Sequence, residues 1–324
     1  MYFTDNTAIN ATNYLAIADC FCFFSQKIVF SNKYANKLLT FCIFMRIMRI
    51  YRSTRKEMIK MKKIIALVLS VIMLTACLSG CGSKKSTIDD IKGKGELVIA
   101  TSPDFPPFES LSDSGKVEGI EIDILNLICD ELGVKLKIEQ MDFESVLPGV
   151  QSGKYDVGVS GISITEKRKK NVLFTDPYCL AAQAIVVTEN STVKGKGDLD
   201  GKKISVQTGT TAESYCLENG YSVDSYSANS DAENALVSGK VEAWVIDDLT
   251  AAEMVKAYND EHDEKLVILS EAMTTEPYAF AFSLGSDEIV NEINEILGKL
   301  VSDGTVKSIF EKYEAPYTSP ESNQ

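Results

Sequence analysis

Ser160-Gly161-Ile162-Ser163-Ile164-Thr165-Glu166-Lys167-Arg168 follows directly on Lys154-Tyr155-Asp156-Val157-Gly158-Val159. The short apolar run at the end of the second stretch predicts a buried strand. A strand that ends in small and hydroxyl residues exposes backbone N–H groups and hydroxyls at its carboxyl end. In open α/β sheets that is where ligands sit. Arg168 lies eight residues beyond Ser160. Its guanidinium is always charged and grips a carboxylate with two parallel hydrogen bonds. One segment therefore offers polar groups for recognition and a cation for an acid. Taken alone, it equally describes a surface loop with a basic run from Lys167 to Lys170. The rest of the chain decides between the two.

Working outward, residues 96–100 predict a strand that ends in Ser102-Pro103-Asp104-Phe105-Pro106-Pro107-Phe108. Proline fixes φ at three places there, which suits a rigid rim holding Phe105. Ile124, Leu125, Ile128 and Leu132 have helical spacing within 119–133, and Gly133 is placed to end that helix. A strand over 135–139, a helix over 143–152 and the strand over 157–159 follow. Strand–helix–strand–helix–strand implies a parallel sheet with helices on its faces. Residues 181–187 and 202–207 predict two more strands, the second ending in Thr208-Gly209-Thr210-Thr211. Thr210 or Thr211 can cap a helix over 212–219, whose free N–H groups suit a carboxylate. A helix over 231–238 precedes a strand over 241–246, which carries the lone Trp244 and ends at Asp247-Asp248. Those acids accept from an ammonium or cap the helix over 249–258. A strand over 266–269, a strand over 279–283, helices over 287–302 and 306–313, and a polar tail complete the chain.

Composition excludes several chemistries. The net charge is −13, yet residues 1–81 carry 11 Lys+Arg against 3 Asp+Glu, so the body is strongly acidic. Such a body repels nucleic acid and anionic lipid headgroups. Of eight cysteines, only Cys129, Cys179 and Cys216 lie beyond residue 81. An odd number without C-x-x-C spacing argues against a disulfide framework. The single His262 sits in a polar run, so histidine triads and His-rich zinc sites are out of reach. No P-loop or dinucleotide fingerprint appears. Neither a metal nor a cofactor is expected.

Gly161 to Arg168, followed by Phe174-Thr175-Asp176-Pro177-Tyr178, resembles the extracytoplasmic solute-binding proteins of amino-acid ABC transporters. Thr101 to Phe108, Gln207 to Thr211 and Val245-Ile246-Asp247-Asp248 match in the same order, and the likeness runs from about Gly95 to Tyr313. The resemblance implies a two-lobed α/β fold of the type II periplasmic-binding-protein kind, with two crossover strands, over 181–187 and 279–283, as hinge. Lobe one is expected over 87–182 plus 277–318, lobe two over 183–276. The ligand sits in the cleft, and the lobes close on it by hinge motion. A free α-amino acid has one carboxylate and one ammonium at fixed separation. Arg168, with N–H groups near Ser163 and Thr211, matches the first. Asp247, with Ser160 and the Gly161 backbone, matches the second; Phe105 and Phe143 supply apolar walls. Ser102 and Thr208 complete the expected site. Relatives that bind basic amino acids often place an acid near the position of Ser102, a departure here, so a polar amino acid is expected first and a basic one second. The implied partners are permease subunits, and the chain is expected to be a monomer. The same fold also resembles secreted enzymes such as cyclohexadienyl dehydratases and the sensor modules of membrane kinases.

At the front, Met61-Lys62-Lys63 precedes an apolar run over 64–74 and then Leu78-Ser79-Gly80-Cys81. That order is a secretory signal over 61–81, too short for a stable membrane span. Leu-Ser-Gly-Cys resembles the bacterial lipoprotein box, in which the cysteine is acylated. Leu74-Thr75-Ala76-Cys77 also fits, and Cys81 is preferred because it leaves a longer apolar core and a Gly-Ser-Lys-Lys-Ser tether. The protein is thus expected outside the cytoplasm, lipid-anchored to the cell membrane. Residues 1–60 fit no such scheme and are expected to be translated upstream DNA or a disordered extension. Arg55-Lys56-Glu57 can be encoded AGG-AAG-GAG, a ribosome-binding site placed just before Met61.

Overall fold

The computed structural model describes residues 43–48 and 87–320. The chain divides into two compact units, Met1–Cys81 and Gly82–Gln324. In the first, residues 43–48 form a short exposed helix. The expected signal segment, Cys77 and Cys81 lie outside the described residues. Among the described residues no helix is long and apolar enough to cross a membrane.

The second unit is mixed α/β. Helix α1 (Ile88–Lys94) is closed at its start by a reciprocal Thr87–Asp90 box and leads into β1 (Glu96–Thr101). A small three-stranded sheet follows, of β2 (Asp104–Phe105), which lies within the stretch read as a rigid rim, and β3 (Glu109–Leu111) and β4 (Val117–Glu118) beyond it. Helix α2 (Ile120–Leu132) starts at Gly119, where a Cβ would sit 2.1 Å from the Phe108 carbonyl oxygen. It ends at Gly133 in the left-handed conformation, as the spacing predicts. Then come β5 (Lys135–Gln140), α3 (Phe143–Gln151), β6 (Val157–Gly158), β7 (Val172–Phe174), β8 (Cys179–Ala181) and β9 (Gln183–Thr188). The chain goes on through β10 (Lys203–Gln207), α4 (Thr211–Glu218), β11 (Ser222–Tyr226), α5 (Asn229–Val237), β12 (Ala243–Asp247) and α6 (Asp248–Glu261). It closes with β13 (Leu266–Ile268), β14 (Glu276–Tyr278), β15 (Ala281–Ser283), α7 (Asp287–Ser302) and α8 (Thr305–Lys312).

Two five-stranded sheets result, in the orders β5-β1-β6-β15-β7 and β11-β10-β12-β9-β13. The first is not purely parallel. β5, β1 and β6 run together, while β15 lies antiparallel to β6 and β7. The reason is that β15 returns from the second sheet and enters from the opposite end. The strand expected over 181–187 is interrupted: β8 pairs antiparallel with β14 in a two-stranded ribbon, and β9 belongs to the second sheet. The ribbon Cys179–Ala181/Glu276–Tyr278 therefore joins the two sheets, rather than residues 279–283.

Burial explains the layers. Leu97, Ile99, Ile124, Ile128, Ile293, Leu297 and Phe310 are buried together, joining β1 to α2, α7 and α8. On the other face Val146 and Val150 of α3 pack with Ile162 and Ala281. A Cβ on Gly158 would meet Val146, Val150 and Ile162 at 3.1–3.3 Å, so the glycine lets α3 approach β6 closely. In the second sheet Ile204, Val206 and Val245 pack against Ala212 and Cys216 of α4. Cys129, Cys179 and Cys216 are free and buried. Burial pushes the Cys129 and Cys216 thiols up to about 12, so they behave as small apolar side chains.

Candidate functional site

The segment from Ser160 to Arg168 leaves the carboxyl end of β6 and runs along β14. Ile164 N–H donates to the Pro277 carbonyl at 2.9 Å, and Ala279 N–H to the Ile162 carbonyl at 3.1 Å. This placement aims Ser160, Gly161, Ser163 and Arg168 into a cleft of about 250 Å³ between the two sheets. Phe105 and Phe143 line it from the first sheet's side, and Gln207, Thr210, Thr211 and Asp247 from the carboxyl ends of β10 and β12. Eight of the ten residues expected from sequence thus meet in one cavity. Ser102 and Thr208 are not among its lining residues. The Ser102 hydroxyl donates to Asp104 Oδ1 at 2.9 Å, and that of Thr208 donates to the Tyr226 carbonyl at 3.1 Å.

Arg168 spans the cleft. Its Nη1 donates to the Ser163 carbonyl at 2.9 Å, its Nη2 to the Gly209 carbonyl at 3.2 Å, and its guanidinium carbon lies 5.6 Å from the Phe143 ring centre. Burial pulls its pKa down, while the charges of Glu276 and Asp247 push it up. A guanidinium stays protonated in such a setting. The fork, seated on an aromatic face, can turn toward an incoming carboxylate. Thr210, the true cap of α4, accepts from Glu213 N–H at 3.2 Å.

Asp247 ends β12 and is 6% exposed. Its Oδ1 accepts from Gln183 Nε2 at 2.8 Å, and the Tyr278 hydroxyl lies against it. Burial first, and the charge of Glu276 second, push this carboxyl up to about 8. Its neighbour Asp248 takes the structural role: its Oδ1 accepts from Leu249 N–H at 2.9 Å and from Ala182 N–H at 3.2 Å, tying the start of α6 to the hinge.

Glu276 is a member of the site that sequence reasoning misses. It stands in β14, 5% exposed, and its Oε2 accepts from the hydroxyls of Ser163 and of Thr211, the latter at 2.7 Å. Thr274 donates to its Oε1 at 2.9 Å. Both cleft hydroxyls are thereby committed as donors to Glu276, so a ligand carboxylate must rely on Arg168 and backbone N–H groups. Isolated in Thr-Thr-Glu-Pro-Tyr, Glu276 carries no sequence signal. Gln207 and Thr210 also line the cleft and flank Thr208 and Gly209 at the carboxyl end of β10, the place in an α/β sheet where ligands sit.

A second buried pair shapes the opposite wall. Glu109 and Glu121 are fully buried and lie carboxyl to carboxyl. Burial, then the Glu121 charge, pushes Glu109 well above the usual range, and burial raises Glu121 as well. Glu121 accepts from Gly161 N–H at 3.0 Å and from the Tyr178 hydroxyl at 2.7 Å. The Ser160 hydroxyl donates to Glu109 Oε1 at 2.6 Å and accepts from Ser102 N–H at 3.2 Å. Its proton is spent, and the lone pair left over makes it an acceptor for an ammonium. Among the described residues, no group of three His, Cys, Asp or Glu is arranged to hold a metal ion.

The family model of the bacterial extracellular solute-binding proteins, family 3, matches residues 97–316. The chain is 30% identical over 271 residues to the ABC transporter glutamine-binding protein GlnH of Bacillus subtilis (strain 168), covering 78% of this chain and 97% of that protein. Among solved structures it is similar to an ancestral arginine-binding protein bound to arginine, with 39% identity, a TM-score of 0.63, and coverage of 68% of this chain and 98% of that one. It is also similar to an ancestral amino acid-binding protein described as a precursor of cyclohexadienyl dehydratase. There the identity is 33% and the TM-score 0.64, covering 70% of this chain and 98% of that one.

Proposed function

Because the chain belongs to the bacterial extracellular solute-binding proteins, family 3, we propose that its cleft holds a free L-α-amino acid by both backbone charges. The protein is the amino-acid-binding component of an ABC transporter, working outside the cytoplasm and delivering its ligand to permease subunits. In our reading Arg168 meets the ligand carboxylate, with N–H groups near Ser163 and Thr211. Asp247 and the Ser160 lone pair meet the ammonium, and Phe105 and Phe143 flank the side chain. The observation that carries this reading is that Arg168 and the buried Asp247 line one small cavity. Arg168 is the one cation among the lining residues, while Glu276 contacts Thr211 and Asp104 contacts Gln207 directly behind the wall. This excess of acids favours a polar ligand whose side chain carries positive charge.

A thermal-shift screen against the twenty amino acids tests it. A ligand present at about 100 times its dissociation constant should add about 2.7 kcal/mol of stability. A screen in which none of them shifts the transition rejects the reading.

A dehydratase is the second reading, favoured by the relative described as a dehydratase precursor and by Asp247, a carboxyl held protonated up to about pH 8 and so able to act as an acid. Turnover of prephenate or arogenate by the purified protein would establish it. We further propose that Cys81 is acylated and anchors a monomer to the membrane.

A further inference from the structure

Helix α5 of the second lobe begins without a cap of its own. Its N-cap residue is Ala228, which has no side-chain acceptor to offer. The acceptor comes from across the cleft. Asp104, in β2 on the first sheet's side, accepts from the Asn229 N–H with Oδ2 at 2.8 Å. The same carboxylate accepts from Gln207 Nε2 at 3.1 Å and from the Ser102 hydroxyl at 2.9 Å. Asn229 answers in the other direction, its Nδ2 reaching the Asp104 carbonyl at 3.4 Å and Gln207 Oε1 at 3.1 Å. Asn229 and Gln207 are 2% and 4% exposed, so these groups are withdrawn from water where they meet.

Strand order puts this cluster on the lip of the cleft away from the hinge. The hinge ribbon β8/β14 continues into β9 and β15 and follows β7 and β13. These strands lie toward one end of each sheet, whereas β1, which leads to Asp104, and β10 and β11, which lead to Gln207 and Asn229, lie toward the other. Opening about the hinge would separate such contacts furthest. It would leave α5 uncapped, the Asn229 N–H having lost its acceptor, while Gln207 Nε2 would keep the Ser227 carbonyl and Asn229 Nδ2 would keep Gln207 Oε1.

We propose that Asp104 is the latch of the closed cleft: a positioning residue that caps α5 of the opposite lobe and so sets how long a bound amino acid is retained. This rests on the amino-acid-binding reading above. The carboxylate need not touch the ligand. It stabilises the closed form alone, so its loss should act on dissociation. A cap and a charge-assisted bond of this kind are worth about 1–2 kcal/mol, roughly a five- to thirtyfold change.

The test uses Asp104→Ala and Asp104→Asn with the amino acid identified in the screen. Stopped-flow kinetics give both rate constants. Spin labels on Lys116→Cys and Lys240→Cys, exposed positions on the two lobes, report the separation of the lobes with and without ligand. Asp104→Ala should raise the dissociation rate roughly five- to thirtyfold and leave association within about threefold. It should also move the distance distribution toward wider separations at equal occupancy. Asp104→Asn keeps an acceptor oxygen and should recover most of the loss. An unchanged dissociation rate overturns the proposal, as does a loss carried by association. If the wild type binds no amino acid, the transport reading fails separately. The latch is then judged on the ligand-free distances, where coincidence of wild type and Asp104→Ala overturns it.

Discussion

In the proposed site Arg168 and Asp247 would act by different physical means. Arg168 is polarised but always charged, and its planar fork cannot be copied by an ammonium. Removing one partner of a buried, hydrogen-bonded charge pair costs about 2–5 kcal/mol. Arg168→Ala is therefore expected to weaken binding roughly 30- to 4,000-fold, and Arg168→Lys to bind poorly as well. Exposed Lys167 and Lys169 are the controls, and their Ala variants should stay within about tenfold. Calorimetric titration of these variants checks it, and an Arg168→Ala variant that binds normally moves the carboxylate site elsewhere. Asp247 would act in that site as a protonation switch. Its carboxyl, raised to about 8, makes the folded state the better proton binder. Its contribution to ligand-free stability is thus fully present below about pH 4 and is lost as pH rises through about 8. An ammonium placed beside it favours the ionised form. Binding near about pH 6.5 should then release up to about one proton, and affinity should rise between about pH 6 and 8, by at most about tenfold per unit. Titrations in buffers of different ionisation enthalpy measure that release. Asp247→Asn should abolish it, and the absence of proton release in the wild type would remove Asp247 from the ammonium site.

Among the elements, the turn between β10 and α4 carries the most meaning. Gly209 has φ +81°, and a Cβ there would meet Glu144 of α3, in the other lobe, at 3.2–3.3 Å. Gly220, after α4, has φ +78° with nothing within 4 Å. Alanine at either site should cost about 1–2 kcal/mol of stability through left-handed backbone strain. Only Gly209→Ala should also weaken ligand binding, because only its methyl group stands between the lobes. Paired thermal melts and titrations compare the two, and equal affinities would mean that the turn does not approach α3 in the bound state. The helices and strands around this turn were legible because their apolar spacing is local. β2 to β4 and the ribbon β8/β14 were not, since each is two or three residues long and its pairing partner lies elsewhere in the chain.

For the whole molecule, the proposed anchoring at the membrane turns on Cys81. Cys81 follows an apolar run and a Leu-Ser-Gly triplet, and a tether of small and basic residues separates it from α1. A single acyl chain binds membranes only marginally, so stable anchoring takes more than one signal. Cys81→Ala should release the protein from the membrane fraction, whereas Cys77→Ala should not. Fractionation of cells expressing each variant decides it, and unchanged partition of Cys81→Ala rejects that residue as the anchor.

The α/β class could be read from the order of elements in the chain, while the two lobes and much of the cleft wall were expected from the family resemblance. Small and hydroxyl residues at the ends of β6 and β10, an arginine after the first and an acid ending β12 carry their meaning in local order. Position alone left open which of Asp247 and Asp248 would cap α6, and the structure gives that role to Asp248. What required the folded molecule was every pairing of residues distant in sequence. The Ser160 hydroxyl hydrogen is directed away to Glu109, 51 residues earlier, which accepts its hydrogen bond. Glu276 gathers Ser163 and Thr211 from opposite lobes. Asp104 caps a helix that begins 125 residues later. Such contacts leave no periodicity. A hydroxyl's direction and a carboxyl's proton depend on which neighbours the tertiary fold brings within 3 Å and on how far it excludes water from them.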